Sequence, residues 1–165
     1  VKHKNGYTLV EIMVVVASVG LIMTSIVGII LGSFRAKNKN ILNNKIMENG
    51  GWIISELRKN VFNSTSSDIV CEGEGKSVQI KNINDGELTI LACDLPTNQI
   101  ASISAARTMS LNNKEVTIIN CDTFVTCDTD NDGGVTGLTF NFGISSTFSG
   151  IGSSQVFTTK ITLRN

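Results

Sequence analysis

Histidine is nearly absent from this chain of 165 residues; His3 is the only one. Without a second imidazole, a histidine-based triad, a His-rich metal centre and imidazole acid–base chemistry have no residues to build on. Basic excess is lacking as well. The whole chain has 14 Lys/Arg and 14 Asp/Glu, and from Phe62 onward six cations face eleven carboxylates. A nucleic-acid-binding face needs clustered cations to displace counterions from phosphates, so no nucleic-acid partner is expected. No C-x-x-C pair, the spacing of a zinc or thioredoxin-like site, occurs among the four cysteines, and there is no internal repeat. Of the broad classes, an enzyme is the least favoured.

The cysteines that are present, Cys71, Cys93, Cys121 and Cys127, are even in number. In an exported domain such a set reads as two disulfides, formed in an oxidising compartment. Three pairings exist. Proximity along the chain favours Cys71–Cys93 with Cys121–Cys127, although geometry decides. Four buried free thiols are the alternative.

Residues 12–31 form a run of twenty without a charge, interrupted only by Ser18, Thr24 and Ser25 among hydroxyl residues. At about 1.5 Å per residue a helix of that length is roughly 30 Å long, the thickness of a bilayer core. A secretory signal peptide has a shorter apolar core closed by a small-residue cleavage site, and neither feature fits. The segment therefore reads as a retained single-pass helix in contact with membrane lipid. Lys2 and Lys4 precede it while Arg35, Lys37 and Lys39 follow, a balance leaning toward a cytoplasmic C-terminus. The cysteines and the Ser/Thr/Gly-rich remainder lean toward export, and they weigh more. Glu11 is the odd member. A carboxylate at mid-bilayer costs about 2.5–3.5 kcal/mol, so it marks either a functional group or a side chain snorkelling to the headgroups.

The residues Gly6-Tyr7-Thr8-Leu9-Val10-Glu11 follow a short basic leader and open the apolar helix. Together they resemble the class III signal of type IV pilins and type II secretion pseudopilins. The resemblance implies cleavage by a prepilin peptidase between Gly6 and Tyr7, with Tyr7 in the place usually held by Phe, and methylation of the new amine. Glu11 then stands where the family has its assembly glutamate, one helical turn from that amine. Other pilin or pseudopilin subunits and an inner-membrane assembly platform are the implied partners. Residues 54–61 (ISELRKNV) and 159–165 (TKITLRN) are similar to minor subunits of the J/W type. Major type IVa pilins usually carry a proline within the helix, whereas the only proline here is Pro96; a minor subunit is the closer match. Gly28-x-x-x-Gly32 adds a spacing that lets helices approach closely.

Beyond the membrane-grade run, Leu42, Ile46, Ile53, Leu57 and Val61 recur on one helical face, which predicts an amphipathic continuation. Gly50-Gly51 interrupts it with room for a bend, and Trp52 reads as core. Residues 63–68 (NSTSSD) end the helix. Strand patterns follow: residues 77–82 and 87–93 flank Asn84-Asp85-Gly86, and Leu111 and residues 116–119 flank Asn112-Asn113, two hairpins. Residues 135–142 and 156–163 alternate around a Gly/Ser loop at 145–154. The expected architecture is α+β: a leader at residues 1–6, a transmembrane helix at 7–34, its amphipathic continuation at 35–62, and an extracytoplasmic β-rich domain at 63–165. In it the helix packs its second half on an antiparallel sheet, as in pilins.

Asp128, Asp130 and Asp132 alternate before Gly133-Gly134, like the first half of a calcium loop. Thr139 stands where an EF-hand has its bidentate glutamate, and no flanking helices are indicated. Some pseudopilins bind calcium in a C-terminal loop, so Ca2+ in a looser site is one reading. An acidic surface turn is the other, because Asp, Asn and Gly form turns without metal. For the whole chain two readings stand. One is a minor filament subunit at the inner membrane with its C-terminal domain outside. The other is a binding module on an uncleaved membrane anchor, which would need neither Gly6 nor Glu11.

Overall fold

The computed structural model of the protein describes residues 7–72, 75–94, 96–105 and 107–163. One helix, α1 (Leu9–Phe62), precedes all the strands, so the fold is α+β as the sequence indicates. The chain divides into two compact units, Val1–Asn40 and Ile41–Asn165.

In the first unit every described side chain is exposed, apolar ones included, apart from half-buried Asn38. The helix is long and apolar enough to cross a membrane. The four hydroxyl residues of its part in the first unit do not violate that environment. Ser18 donates to the Val15 carbonyl at 2.9 Å, Thr24 and Ser25 to that of Leu21 at 2.9 and 3.0 Å, and Ser33 to that of Ile29 at 2.9 Å. Folding a hydroxyl back onto its own helix satisfies it where no water is present.

In the second unit α1 buries Leu42, Ile46, Gly50, Ile53, Leu57 and Val61, the expected stripe with a glycine added. Each large apolar member contributes about 1.5–3 kcal/mol of transfer free energy. Gly50 does not bend the helix out of register. It makes room: a Cβ there would lie 2.2–2.7 Å from three atoms of the Phe157 ring. Phe157 in turn stacks on Phe142, centroids 5.6 Å apart, and Phe142 and Phe140 close on Phe124 at 6.4 and 5.5 Å. Hydrogen bonds hold the same helix face to the strands beside it. Ser153 donates to Asn43 Oδ1 at 2.6 Å, and Arg58 Nη2 donates to Thr159 Oγ1 at 3.1 Å. The helix closes where Ser64 returns both its amide and its hydroxyl to the Val61 carbonyl.

Among the described residues the strands form two antiparallel sheets rather than one. The first is a meander, in order β1 (Ile69–Glu72), β2 (Ser77–Lys81), β3 (Leu88–Asp94), β4 (Gln99–Ser104) and β5 (Thr108–Ser110). Its β2–β3 hairpin is the one expected at Asn84-Asp85-Gly86. Gly86 takes φ +70°, and the Asn82 and Asp85 carboxamide and carboxylate oxygens accept amides two residues on. The second sheet is built on β8 (Val135–Phe148), which pairs with β6 (Thr117–Asn120) and β7 (Val125–Thr129) and, over twelve residue pairs, with β9 (Ile151–Thr162).

Two sequence expectations change here. The Gly/Ser stretch at 145–154 is mostly strand, and the turn is only Ser149-Gly150, at φ 49° and 75°. Two consecutive positive φ values match the twist of a tight hairpin. Nor do β5 and β6 form a hairpin around Asn112; they belong to different sheets. The Asn112 carboxamide explains why. Its Oδ1 accepts from the Ile100 amide at 3.0 Å, and its Nδ2 donates to the Asn98 and Val116 carbonyls at 3.2 and 3.4 Å, so it ties the crossover down instead of turning it back.

The cysteines pair, but not by proximity. Cys71 joins Cys127, with Cα atoms 6.6 Å apart, and Cys93 joins Cys121 at 5.5 Å. The first bridge joins β1 to β7 of the other sheet, and the second joins β3 to the residue that follows β6. Closing 56- and 28-residue separations removes chain entropy from the unfolded state worth about 4 kcal/mol apiece in the loop-closure model.

Candidate functional site

The start of α1 is built by Thr8. Its carbonyl accepts the Glu11 and Ile12 amides at 3.1 and 3.3 Å, and its Oγ1 accepts the Glu11 amide at 3.3 Å. Thr8 is thus the N-cap and Glu11 the third helical residue. That Thr-x-x-Glu spacing is the capping-box pattern, a helix-start signal readable in the sequence beside the lone charge. A carboxylate here also faces the positive end of the helix dipole, which stabilises it locally. Tyr7 is exposed just ahead of the cap. Gly6, the expected cleavage residue, lies outside the described residues. Among those described, Glu11 has no ion-pair partner. Its position offers a hydrogen-bond-accepting anion, at the mouth of an apolar helix, to a cation from elsewhere.

The acidic loop is the β7–β8 turn. Asp130 Oδ1 accepts the amides of Asp132 at 3.1 Å and Gly134 at 2.7 Å, while the Asp130 amide donates to the Gly134 carbonyl at 2.9 Å. Gly133, at φ +82°, completes the reversal. Asp128 points elsewhere. Its Oδ2, shielded from solvent, lies 2.8 Å from Lys160 Nζ on β9, an ionic contact without hydrogen-bond alignment. Asp132 is exposed. Hence the three carboxylates of the calcium reading are not gathered, and among the described residues no group of three or more His, Cys, Asp or Glu is arranged to hold a metal ion. The turn reading accounts for the Asp/Asn/Gly pattern.

Trp52 also departs from expectation. It is 49% exposed rather than core, because it precedes Ile53 and so falls about 100° off the buried stripe. It lines an open cleft of about 440 Å³ between α1 and the segment from Ser110 to Glu115. Leu111, fully buried, forms the floor. The walls are tied together: the Asn113 amide donates to Asn49 Oδ1 at 3.2 Å, and Lys45 Nζ meets Glu115 Oε2 at 2.9 Å.

No protein-family model, curated protein or solved structure matches this chain. Its function rests on these residues alone.

Proposed function

We propose that the chain is a minor pilin or pseudopilin, a non-enzymatic structural subunit of a type IV pilus-like or type II secretion filament. A prepilin peptidase cuts after Gly6 and methylates the Tyr7 amine at the inner membrane. The mature subunit then enters a filament through its N-terminal helix, with the domain beyond held outside the cytoplasm.

The observation that carries this reading is the contrast within one apolar helix. All four hydroxyl residues between positions 9 and 34 are satisfied by their own backbone, while the one carboxylate, Glu11, has no ionic partner among the described residues. A plain membrane anchor gains nothing from such a group. In a bundle of these helices the ammonium of one Tyr7 meets the Glu11 carboxylate of a neighbour. At 4 Å and an effective dielectric of 20 the pair gains about 4 kcal/mol, offset by a desolvation cost of similar size. Its effect is on register more than on strength, because a subunit docked one turn out leaves two charges unpaired in an apolar setting. No atom lies within 4 Å of a Cβ placed at Gly28 or Gly32, and their spacing suits a close-packed neighbouring helix.

The test is Glu11→Ala and Glu11→Gln in the native host, following both processing and the sheared filament fraction. Normal processing with loss of the subunit from filaments is the expected result. Undiminished incorporation of both variants would sink the register role. The second reading, an anchored binding module, is favoured by the Trp52 cleft and predicts an uncleaved chain indifferent to Glu11.

A further inference from the structure

The cleft beside Trp52 belongs to the second unit and is lined by none of the residues to which the proposed function assigns assembly. On the helix wall Glu48 and Trp52 are one turn apart and face the same way. Glu48 has no ion-pair partner among the described residues, and neither the Trp52 indole N–H nor the Asn113 carboxamide has a hydrogen-bond partner among them. Lys45 and Glu115 neutralise each other across the cleft yet keep spare donors and a spare oxygen.

This set rejects several ligand classes. An anion meets two carboxylates and a lysine already paired. A cation would use the carboxylates and the aromatic face but leave the amide donors idle. A wholly apolar ligand strands every polar group on both walls. A sugar ring uses all of them. Its C–H face lies on the indole, and each hydroxyl, being both donor and acceptor, can bridge a carboxylate on one side and an amide or ammonium on the other. The walls are preformed, since Asn112 locks one and the Asn49–Asn113 hydrogen bond joins it to the other, so little ordering is left for binding to drive. A volume of about 440 Å³ sits within the small-molecule range of roughly 300–1,000 Å³. We infer that this cleft is a saccharide-binding site, with Trp52 as the stacking platform and Glu48 and Asn113 as the hydroxyl-reading groups.

Trp52 is the only tryptophan, so intrinsic fluorescence reports on the cleft alone among indoles. The full chain is titrated with N,N′-diacetylchitobiose, maltose and lactose. A polyoxyethylene detergent is used, because a glycosidic one would compete. The expected result is a saturable change in Trp52 emission with at least one of the three, weakened about tenfold by Glu48→Ala and by Asn113→Ala. Both variants remove exposed side chains and keep the Asn113 amide that ties the walls, so near-UV circular dichroism should stay unchanged. No saturable response to any of the sugars overturns the inference. So does a response that both variants leave intact. A response to tetramethylammonium or N-acetyl-argininamide in place of the sugars also overturns it, and would make the cleft a cation site.

Discussion

Gly50→Ala is the substitution on which the helix–sheet packing makes its sharpest demand. An added Cβ would lie 2.2 Å from Phe157 Cζ and 2.3 and 2.7 Å from the two Cε atoms, where carbon–carbon contact is comfortable at about 3.5–4.0 Å. The ring must retreat by more than an ångström. Phe142, fully buried, stacks on one face of that ring at 16° and closes that direction. Overpacking of this kind costs about 1–3 kcal/mol. Against it stands the helix propensity of alanine, worth about 1 kcal/mol over glycine. At Gly51 the propensity acts alone, because no atom lies within 4 Å of its Cβ position. Gly51→Ala should therefore raise stability by about 1 kcal/mol, and Gly50→Ala should lower it by up to about 2 kcal/mol. At roughly 2–4 °C per kcal/mol for a chain of this size, Gly50→Ala should melt several degrees below Gly51→Ala. Thermal unfolding of the detergent-solubilised chain followed by near-UV circular dichroism reads the difference. Combining Gly50→Ala with Phe157→Leu should recover part of the loss, a coupling of about 1 kcal/mol. Equal stability of the two alanine variants, or no coupling to Phe157, would refute the packing argument.

Peptide mapping under non-reducing conditions should recover Cys71 with Cys127 and Cys93 with Cys121, and replacing either pair by serine should cost about 2–5 kcal/mol. Asn112→Ala leaves the amide of fully buried Ile100 without its acceptor, so denaturant unfolding should show a loss of about 1–3 kcal/mol; a neutral effect would mean the crossover is held some other way. Calcium at millimolar concentration should move the thermal midpoint by less than about 1 °C, whereas a rise of several degrees would show that Asp128, Asp130 and Asp132 converge on the ion.

Local chemistry was legible in the chain and spatial neighbourhood was not. The buried stripe from Leu42 to Val61 follows from a 3.6-residue period, and the Asn84-Asp85-Gly86 turn from side chains that act within three residues. The disulfide pairing depends on which strands of two sheets come together, which no spacing encodes. Asn112 looked like a turn residue because Asn is one, yet its partners Asn98 and Ile100 lie twelve or more positions away. The serine-rich stretch before Ile151 read as loop from composition, while twelve matched pairs between β8 and β9 override that weak preference. Other misses were readable. Trp52 stands off the apolar stripe, and Thr8-x-x-Glu11 is a helix start, so both signals were present in the spacing. Asp128-Thr-Asp130-Asn-Asp132-Gly133 is different, because a metal loop and a tight turn call for the same residues.

The central claim is that this helix belongs to a processed filament subunit, and the mass of the N-terminus of the protein taken from its native membrane tests it most directly. A chain beginning at Tyr7 and carrying one added methyl on its amine is the predicted result. A chain that still retains Gly6 and the residues before it would contradict the account and leave an anchored module in its place.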